Sequence, residues 1–355
     1  MNTNSKIEMG KIPDAWREGK TKEITFCITE ACNLACKYCY MKGKNTTNKM
    51  SFETAKKVVD DILSNREFFN QEAVVWDFIG GEPFLEINLI DKISDYIKLQ
   101  MYNTNHPWFN KYRFNFASNG LLYRTPDVQR YIKKNKGHIC IAISVDGNKI
   151  KHDLQRIKPD GSGSYDDVMK NVPLWLEQFP EASTKATFAH ADLPYLKDSI
   201  ISLWDNGIKM VAANVVFEYD WHDGDDEIFE EQLRELADYV LENKLWEEYS
   251  VRFFSPNIGF PLKDEELKNN FCGAGTMLAI DYKGRYFPCI RFLDFTMTNK
   301  EGLRIGDVDS GINTDKVRPF LALTLESQSK EECIKCEVAS GCAWCTGFNY
   351  GSKKE

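Results

Sequence analysis

The sequence has no long apolar run and no excess of basic residues. It contains no stretch of about 18 apolar residues, and its polar opening MNTNSKIEMGK lacks a signal-peptide core. Its 45 Lys and Arg residues are outnumbered by 53 Asp and Glu residues, which gives a formal net charge of −8. Non-specific binding to nucleic acid depends on a basic surface. These absences predict a cytoplasmic protein whose partners include neither a membrane nor nucleic acid.

Internal repeats and low-complexity linkers are also missing from the chain. Its hydrophobic content of 43% and aromatic content of 13% are those of an ordinary globular protein. A chain of 355 residues exceeds the usual size of one hydrophobic core. We therefore expect two domains and no long disordered segment.

Cysteine is the residue that the sequence has in unusual number. There are 11 cysteines, and clustered cysteines in a reducing compartment point to metal binding or catalysis. Nine of them fall in two groups, which are Cys32, Cys36 and Cys39 near the start and Cys272, Cys289, Cys333, Cys336, Cys342 and Cys345 near the end. The remaining two, Cys27 and Cys140, lie inside apolar runs, where a free cysteine behaves as a small hydrophobic residue.

Short apolar runs alternate with longer amphipathic segments from about residue 23 to residue 242. The runs that we predict to be strands are Glu23–Thr29, Ala73–Phe78, Tyr112–Ala117, His138–Ser144, Thr184–Phe188 and Met210–Phe217. The segments that we predict to be helices are Ser51–Asn65, Ile87–Met101, Thr125–Asn135, Ser164–Phe179, Tyr195–Asp205 and Asp226–Asn243. This alternation predicts an α/β fold with a parallel sheet. Six units are too few for a closed eight-stranded barrel, so we expect an open, partial (β/α)6 barrel.

The alternation ends at about residue 244, where the sequence becomes rich in glycine and cysteine. We expect an N-terminal extension at 1–22, the partial barrel at 23–243, a bridging segment at 244–271 and a small cysteine-rich domain at 272–355. Ser51 and Ser164 are predicted to begin helices as hydroxyl caps. The acidic stretch that starts at Asp220 does not have the spacing of a calcium-binding loop, and we interpret it as the solvated start of a helix.

The first cysteine group has the spacing C-x3-C-x-aromatic-C. A [4Fe–4S] cluster normally takes four cysteine ligands, so a loop that supplies three leaves one iron open to a small molecule. Thiolates suit both iron and zinc, but a structural zinc site usually closes its shell with paired C-x2-C units. The uneven triplet therefore favours an iron–sulfur cluster over zinc.

This loop resembles the signature of the radical S-adenosylmethionine (radical SAM) enzymes. In that family the open iron binds S-adenosylmethionine, and reductive cleavage gives a 5′-deoxyadenosyl radical that abstracts a hydrogen atom from the substrate. The turn from Gly80 to Pro83 closely resembles the family motif for the amino group of the cofactor. The residues that the resemblance implies at the S-adenosylmethionine site are Tyr38, Gly80, Gly81, Glu82, Pro83, Ser118, Asn119, Ser144, Asp146 and Arg156.

Three of these residues receive specific roles from the resemblance. Tyr38 is expected near the adenine, Ser144 as a hydroxyl donor, and Arg156 as the partner of the carboxylate, a role that suits the guanidinium fork. His152 has two open interpretations, a catalytic role or a histidine satisfied by its neighbours. The sequence assigns no catalytic residue.

The second cysteine group resembles a C-terminal auxiliary-cluster domain called SPASM, which occurs on radical SAM enzymes that modify peptides and proteins. Here the spacing is C-x11-G-x4-C, with a hairpin turn at Lys283 and Gly284, followed by C-x2-C-x5-C-x2-C. The chain departs from the SPASM pattern twice: the last spacing is x2, not x3, and no cysteine follows Cys345 in the remaining ten residues.

Six thiolates are too few for two four-iron clusters, which would need eight ligands. By the resemblance, Cys272, Cys289 and Cys345 would hold one auxiliary cluster, and Cys333, Cys336 and Cys342 the other. An oxygen ligand, a solvent molecule or a substrate thiolate would complete each cluster. The alternative is a zinc ribbon built from the last four cysteines, whose paired C-x2-C form is a fair zinc signature.

The resemblance implies an enzyme with S-adenosylmethionine and three [4Fe–4S] clusters that matures a ribosomally made peptide. We expect it to form a thioether from cysteine sulfur to a carbon of another residue, as in maturases of the ranthipeptide and sactipeptide type. Its partners would be a cysteine-containing precursor peptide and an electron donor such as flavodoxin or ferredoxin. The roughly 22 residues before the first predicted strand are too few for an N-terminal peptide-recognition domain. The alternatives are a sulfatase-maturing or carbon–carbon crosslinking enzyme, and a non-catalytic iron–sulfur or zinc scaffold.

Overall fold

The computed structural model describes residues 20–42, 46–217, 221–270, 272–297, 300–342 and 344–352. The strands in these ranges are β1 Thr21–Thr29, β2 Ala73–Gly80, β3 Tyr112–Ser118, β4 Ile139–Ile143, β5 Ser183–Phe188, β6 Met210–Val215, β7 Ser250–Val251, β8 Leu278–Ile280, β9 Arg285–Phe287, β10 Gly306–Asp307 and β11 Gly311–Ile312.

The α-helices within the same ranges follow the strands in alternation up to residue 242. They are α1 Phe52–Ser64, α2 Ile87–Asn103, α3 Pro126–Lys134, α4 Lys149–Gln155, α5 Tyr165–Met169, α6 Val172–Gln178, α7 Leu196–Asp205, α8 Asp225–Glu242, α9 Asp264–Leu267, α10 Thr314–Ala322, α11 Leu325–Gln328, α12 Glu331–Ile334 and α13 Thr346–Ser352. None of the described helices has the length and apolar character needed to cross a membrane.

The chain divides into two compact units. Among the described residues, the first unit holds residues 33–39 and 117–255, and the second holds residues 20–32, 40–116 and 256–352. The first unit contains β4 and a parallel sheet in the order β5-β6-β7, in which Thr187 pairs with Asn214. The hydroxyl of Thr184 on β5 donates to the carbonyl of Ile143 at 2.7 Å and accepts the backbone N–H of Val145 at 2.8 Å, which joins β5 to the end of β4.

The sheet of the second unit runs in the order β11-β10-β9-β8-β1-β2-β3. The pairs β8–β1, β1–β2 and β2–β3 are parallel, and the pairs from β8 to β11 are antiparallel. Its core is aromatic: the rings of Phe26 and Phe78 lie 5.7 Å apart and those of Trp76 and Trp108 6.0 Å apart, and all four side chains are buried. Such contacts add to the burial of apolar area, which drives folding.

The predicted α/β class and all six predicted strands are confirmed, with small shifts at their ends. Ser51 caps α1 by accepting the N–H of Thr54 at 2.9 Å. The single helix predicted over Ser164–Phe179 is wrong in detail, since the chain forms α5 and α6 there, and Pro173 lies in the first turn of α6. Proline has no N–H to continue a preceding helix but is tolerated in a first turn. Ser164 precedes α5 without capping it, because its hydroxyl donates to the carbonyl of Arg156 at 2.6 Å.

Three other expectations have clear outcomes. Cys27 is buried in β1, as predicted for a small hydrophobic residue. The hairpin predicted at Lys283 and Gly284 joins β8 to β9. The acidic stretch does begin a helix, but not a fully solvated one: Asp225 at the start of α8 is buried, whereas Asp226 is exposed. Asp220 lies outside the described residues.

Candidate functional site

The cysteine loop of the first unit is held in place by backbone hydrogen bonds to the end of α4. The N–H groups of Ala35 and Lys37 donate to the carbonyls of Ile157 and Gln155, at 2.7 and 3.0 Å. These bonds fix the backbone on either side of Cys36 without using its side chain. The loop is therefore positioned through its backbone.

Tyr38, the aromatic residue of the loop, joins two charged residues that the sequence analysis singled out. Its hydroxyl donates to Asp146 Oδ2 at 2.5 Å and accepts a hydrogen bond from Arg156 Nη1 at 2.9 Å. Arg156 is buried, and its Nε has no hydrogen-bond partner among the described residues. A buried donor without a partner is rare in native proteins. Arg156 thus has a donor that suits an anionic ligand such as a carboxylate.

Lys151 extends this network, and the sequence analysis did not identify it. Its ammonium lies 3.2 Å from Asp146 Oδ2 and 3.9 Å from Asp192 Oδ2, and it donates to the carbonyl of Thr187. The Lys151 and Asp192 side chains are 0% exposed. Gln155, one helical turn after Lys151 on α4, donates to the other oxygen of Asp192 at 2.9 Å. A lysine in a short helix is usually solvated, so no sequence signal distinguished this one.

Two opposing effects determine the pKa values in this network: burial disfavours the charged form of each group, and a neighbouring opposite charge favours it. Burial alone would raise the pKa of Asp146, but Lys151 and Arg156 hold that pKa below its ordinary value. Burial lowers the pKa of Lys151, although Asp146 and Asp192 oppose this shift. Burial also acts to lower the pKa of Arg156, yet Tyr38, the Cys36 thiol and Asp146 keep it well above its ordinary value. Arg156 is therefore a permanent cation close to Cys36.

Other predicted residues line the ends of β3 and β4 in the same unit. The backbone N–H of Ser144 donates to the carbonyl of Ser118 at 2.9 Å. Asn119 Nδ2 donates to the side-chain oxygen of Asn33 at 2.6 Å, which connects the end of β3 to the cysteine loop. His152 is buried, accepts the N–H of Asp146 at 3.3 Å and lies 3.0 Å from Ser164 Oγ. Burial lowers the pKa of His152 to about 4, which favours the interpretation of a histidine satisfied by its neighbours.

The predicted turn Gly80–Pro83 follows β2 in the second unit and lies directly against the segment that ends at Cys32. The N–H groups of Gly81 and Glu82 donate to the carbonyls of Thr29 and Ala31 at 2.8 and 2.9 Å. A side chain at Gly81 would collide with the carbonyl of Ala31, so the close approach requires glycine. Glu82 is buried, and its Oε1 accepts the N–H of Phe84 at 3.1 Å at the start of a 3-10 helix.

The six C-terminal cysteines lie in two sets of three within the second unit. Burial, together with nearby Cys272 and Cys345, raises the pKa of Cys289 to about 12. Burial raises the pKa of Cys342, and its nearby cysteines are instead Cys336 and Cys333. These are the two ligand sets that the resemblance to SPASM implies. Their use by clusters remains a prediction.

Buried polar groups around these cysteines suit sulfur-rich ligands. Asn270 Nδ2, Trp344 Nε1 and Thr346 Oγ1 are buried and have no hydrogen-bond partner among the described residues. Cluster sulfurs accept hydrogen bonds, which is one way in which proteins set cluster potentials. Asn270 is two residues from Cys272, and Trp344 and Thr346 flank Cys345, so these donors would suit the sulfurs of a cluster there.

The zinc-ribbon alternative would combine cysteines from both sets. Within the described ranges, no three His, Cys, Asp or Glu side chains are grouped closely enough to hold a single metal ion. Cys345 also groups with Cys272 and Cys289, outside the proposed ribbon.

Comparison with curated proteins gives partial matches. The chain is 29% identical over 195 residues to an uncharacterised protein of Methanocaldococcus jannaschii, covering 55% of this chain and 63% of that protein. It is 30% identical over 159 residues to the cysteine-type anaerobic sulfatase-maturating enzyme of Clostridium novyi. This match covers 43% of this chain and 40% of that enzyme. It is 25% identical over 288 residues to the antilisterial bacteriocin subtilosin biosynthesis protein AlbA of Bacillus subtilis. This match covers 78% of this chain and 56% of AlbA. The chain thus spans less than two thirds of the length of these relatives.

Two solved structures share the fold over most of the chain. The structure of anSMEcpe with bound AdoMet aligns with a TM-score of 0.68 at 19% identity, covering 89% of this chain and 86% of that chain. The structure of Streptococcus suis SuiB bound to precursor peptide SuiA aligns with a TM-score of 0.58 at 15% identity, covering 96% of this chain and 76% of SuiB. At these identities the likeness concerns the fold alone.

The family match falls on the strands and loops described above. Residues 26–189 match the Radical SAM superfamily. This range begins in β1, runs through the cysteine triplet and the Gly80–Pro83 turn, and ends just after β5. The match to the radical SAM superfamily thus covers residues 26–189, somewhat less than half of the chain.

Proposed function

We propose that this protein is a radical SAM maturase that forms thioether crosslinks in a ribosomally made, cysteine-containing peptide. The observation that carries the proposal is the grouping of the six C-terminal cysteines into two sets of three, each one thiolate short of a complete four-iron site. A cysteine of the substrate is a suitable ligand for such an open position. Auxiliary clusters on a radical SAM domain are, by the resemblance, typical of enzymes that modify peptides.

The proposed cofactors are S-adenosylmethionine and three [4Fe–4S] clusters. Cys32, Cys36 and Cys39 would hold the first cluster, and the two C-terminal sets the auxiliary clusters. When bound, the first cluster and S-adenosylmethionine supply a 5′-deoxyadenosyl radical that removes a hydrogen atom from the substrate. The turn at Gly80–Pro83 would bind the amino group of the cofactor through its close backbone.

The residues of the first unit have separate proposed tasks toward the same cofactor. Arg156 would bind the carboxylate, because its buried Nε is without a partner. The hydroxyl of Tyr38 and the carboxylate of Asp146 would orient that guanidinium. Lys151 would balance the charge of Asp146 and Asp192, so that no carboxylate of the network is left unpaired.

The relatives support a peptide or protein substrate. Their names describe sulfatase maturation and subtilosin biosynthesis, and the SuiB structure contains a precursor peptide. We propose the same substrate class here, with flavodoxin or ferredoxin as electron donor in the cytoplasm. A sulfatase-maturing activity is the second candidate, because the identity to the sulfatase-maturating enzyme reaches 30%.

The first experiment tests the cofactor. Reconstituted anaerobically, the protein should bind more than one [4Fe–4S] cluster and convert S-adenosylmethionine into 5′-deoxyadenosine. The triple variant in which Cys32, Cys36 and Cys39 are replaced by alanine should lose this cleavage but retain auxiliary iron. Cleavage by the triple variant would contradict the central claim.

The second experiment tests the substrate. A peptide with cysteine should perturb the electron paramagnetic resonance spectrum of an auxiliary cluster, whereas the matched serine peptide should not. The product of the cysteine peptide should be two mass units lighter and should resist thiol alkylation. Identical spectra with both peptides would exclude direct thiolate coordination. A lighter product that still reacts with an alkylating reagent would favour carbon–carbon crosslinking over thioether formation.

A further inference from the structure

Two histidines and an aspartate form a cluster in the first unit, outside the residues assigned so far. His190 Nδ1 lies 2.7 Å from Asp225 Oδ1, and the rings of His190 and His222 lie 3.8 Å apart. The second oxygen of Asp225 accepts the backbone N–H of His222 at 2.8 Å. One carboxylate therefore fixes both the His190 ring and the loop that precedes α8.

The hydrogen bond to Asp225 determines which nitrogen of His190 is available. With Nδ1–H donating to the carboxylate, the neutral ring presents Nε2 as an acceptor. The Asp225 side chain is 6% exposed, whereas the His190 side chain is 37% exposed. A buried carboxylate that orients an accessible imidazole is the arrangement that activates a histidine as a general base.

The position of His190 places this base at the reactive edge of the sheet. His190 comes two residues after the end of β5, and the groups that react lie at the C-terminal ends of strands in parallel α/β barrels. The same segment is tied to the charged network: the N–H of Ala189 donates to Asp192 Oδ2 at 3.0 Å, and Asp192 pairs with Lys151. The segment that carries His190 is thus anchored by the network that includes Arg156.

We propose that His190 is the general base that accepts the proton lost by the substrate cysteine, and that Asp225 is its positioning residue. The inference rests on the proposed function. In that reaction a substrate C–H bond breaks and its hydrogen atom goes to the deoxyadenosyl radical. The S–H bond breaks and its proton goes to His190 Nε2. A C–S bond forms, and the remaining electron would be taken up by an iron–sulfur centre held by one of the proposed cysteine sets.

The test separates cofactor cleavage from product formation. His190→Gln and Asp225→Asn are compared with Asp226→Asn, a control that removes the neighbouring exposed carboxylate of the same helix turn. General bases contribute about 10²–10⁴-fold in rate. We expect His190→Gln to lower the rate of crosslink formation about 100-fold or more, and Asp225→Asn about 10-fold or more. Both variants should still make 5′-deoxyadenosine at the wild-type rate, and Asp226→Asn should crosslink normally.

Each outcome decides the inference. Crosslinking at the wild-type rate in His190→Gln would overturn it. Parallel loss of 5′-deoxyadenosine and crosslink would also overturn it, because it would assign His190 to cofactor binding or folding. Recovery of crosslinking when imidazole is added to His190→Gly would support it. If the wild-type protein makes no 5′-deoxyadenosine, the proposed function itself fails, which is a distinguishable result.

Discussion

Lys151 offers the sharpest test of the charged network in the first unit. Its ammonium is fully buried between Asp146 and Asp192 and lies 4.5 Å from the centre of the Phe188 ring. Lys151→Met keeps a long, unbranched side chain that packs against the ring. The substitution removes the charge and the donors, so two buried carboxylates lose their shared cation.

The expected loss of stability is large for a single substitution. Breaking a buried ion pair by removing one partner costs about 3–5 kcal/mol, because the other charge stays buried and unpaired. A typical domain is stable by only about 5–15 kcal/mol. The double variant Lys151→Met with Asp192→Asn removes one carboxylate as well. We expect it to recover about half of the loss, since contacting residues couple strongly in such a cycle.

Urea unfolding of the variants measures this loss, with Lys149→Met as the matched control. Lys149 lies on the same helix and pairs with Asp153 and Asp166 at the surface, where ion pairs are worth about 0–1 kcal/mol. The slope of the unfolding curve should stay constant while the midpoint falls. A Lys151→Met variant that loses no more stability than Lys149→Met would refute the reasoning.

Three further predictions concern single side chains. Arg156→Ala should weaken binding of S-adenosylmethionine by about 2–5 kcal/mol with the clusters intact, and unchanged affinity in a calorimetric titration would remove Arg156 from the site. Trp344 packs against the same apolar cluster as Cys336, and its buried N–H has no partner among the described residues. Trp344→Phe removes this donor and should lower the midpoint potential of one auxiliary cluster while leaving the first cluster unaffected; redox titration followed by electron paramagnetic resonance checks this. Burial, assisted by Asp77, raises the pKa of Glu23 from 4.5 to about 7, so the folded state holds its proton more tightly than the unfolded chain. The free energy of unfolding should therefore fall as pH rises from about 4.5 to 7, and Glu23→Gln should remove up to about 3 kcal/mol of that fall. If the free energy of unfolding depends on pH in the same way in wild type and variant, this assignment is wrong.

The features that could be predicted from the sequence are those encoded over short distances. The six strands followed from apolar runs such as Ala73–Phe78, because a buried strand must be apolar over consecutive residues. The cysteine triplet and the Gly80–Pro83 turn are also local, since their chemistry depends on spacing along a few residues. These features were enough to predict the α/β class and the match of residues 26–189 to the radical SAM superfamily.

The features that could not be predicted depend on contacts between distant residues. Nothing in the sequence distinguishes Lys151 from an ordinary solvated lysine of a helix, because its contact with Asp192 appears only in the folded structure. His190 and Asp225 are 35 residues apart, and neither belongs to a recognisable motif. The acidic stretch suggested a solvated helix start because acidic residues commonly occupy such positions. Asp225 is instead buried, and its carboxylate is hydrogen-bonded to His190 and His222.

The three-residue strand β8 has a consequence for how the polypeptide can be divided and made. It pairs in parallel with Ile24, Thr25 and Phe26 of β1, and Lys22 Nζ donates to the carbonyl of Thr276 at 2.6 Å, across 254 residues of chain. On a ribosome, β1 is synthesised about 250 residues before this partner. A fragment cut at residue 243 would leave one side of an apolar strand open, which invites pairing with other copies and aggregation. Because β8 covers one edge of β1, shortened versions of this protein should retain the segment that contains β8.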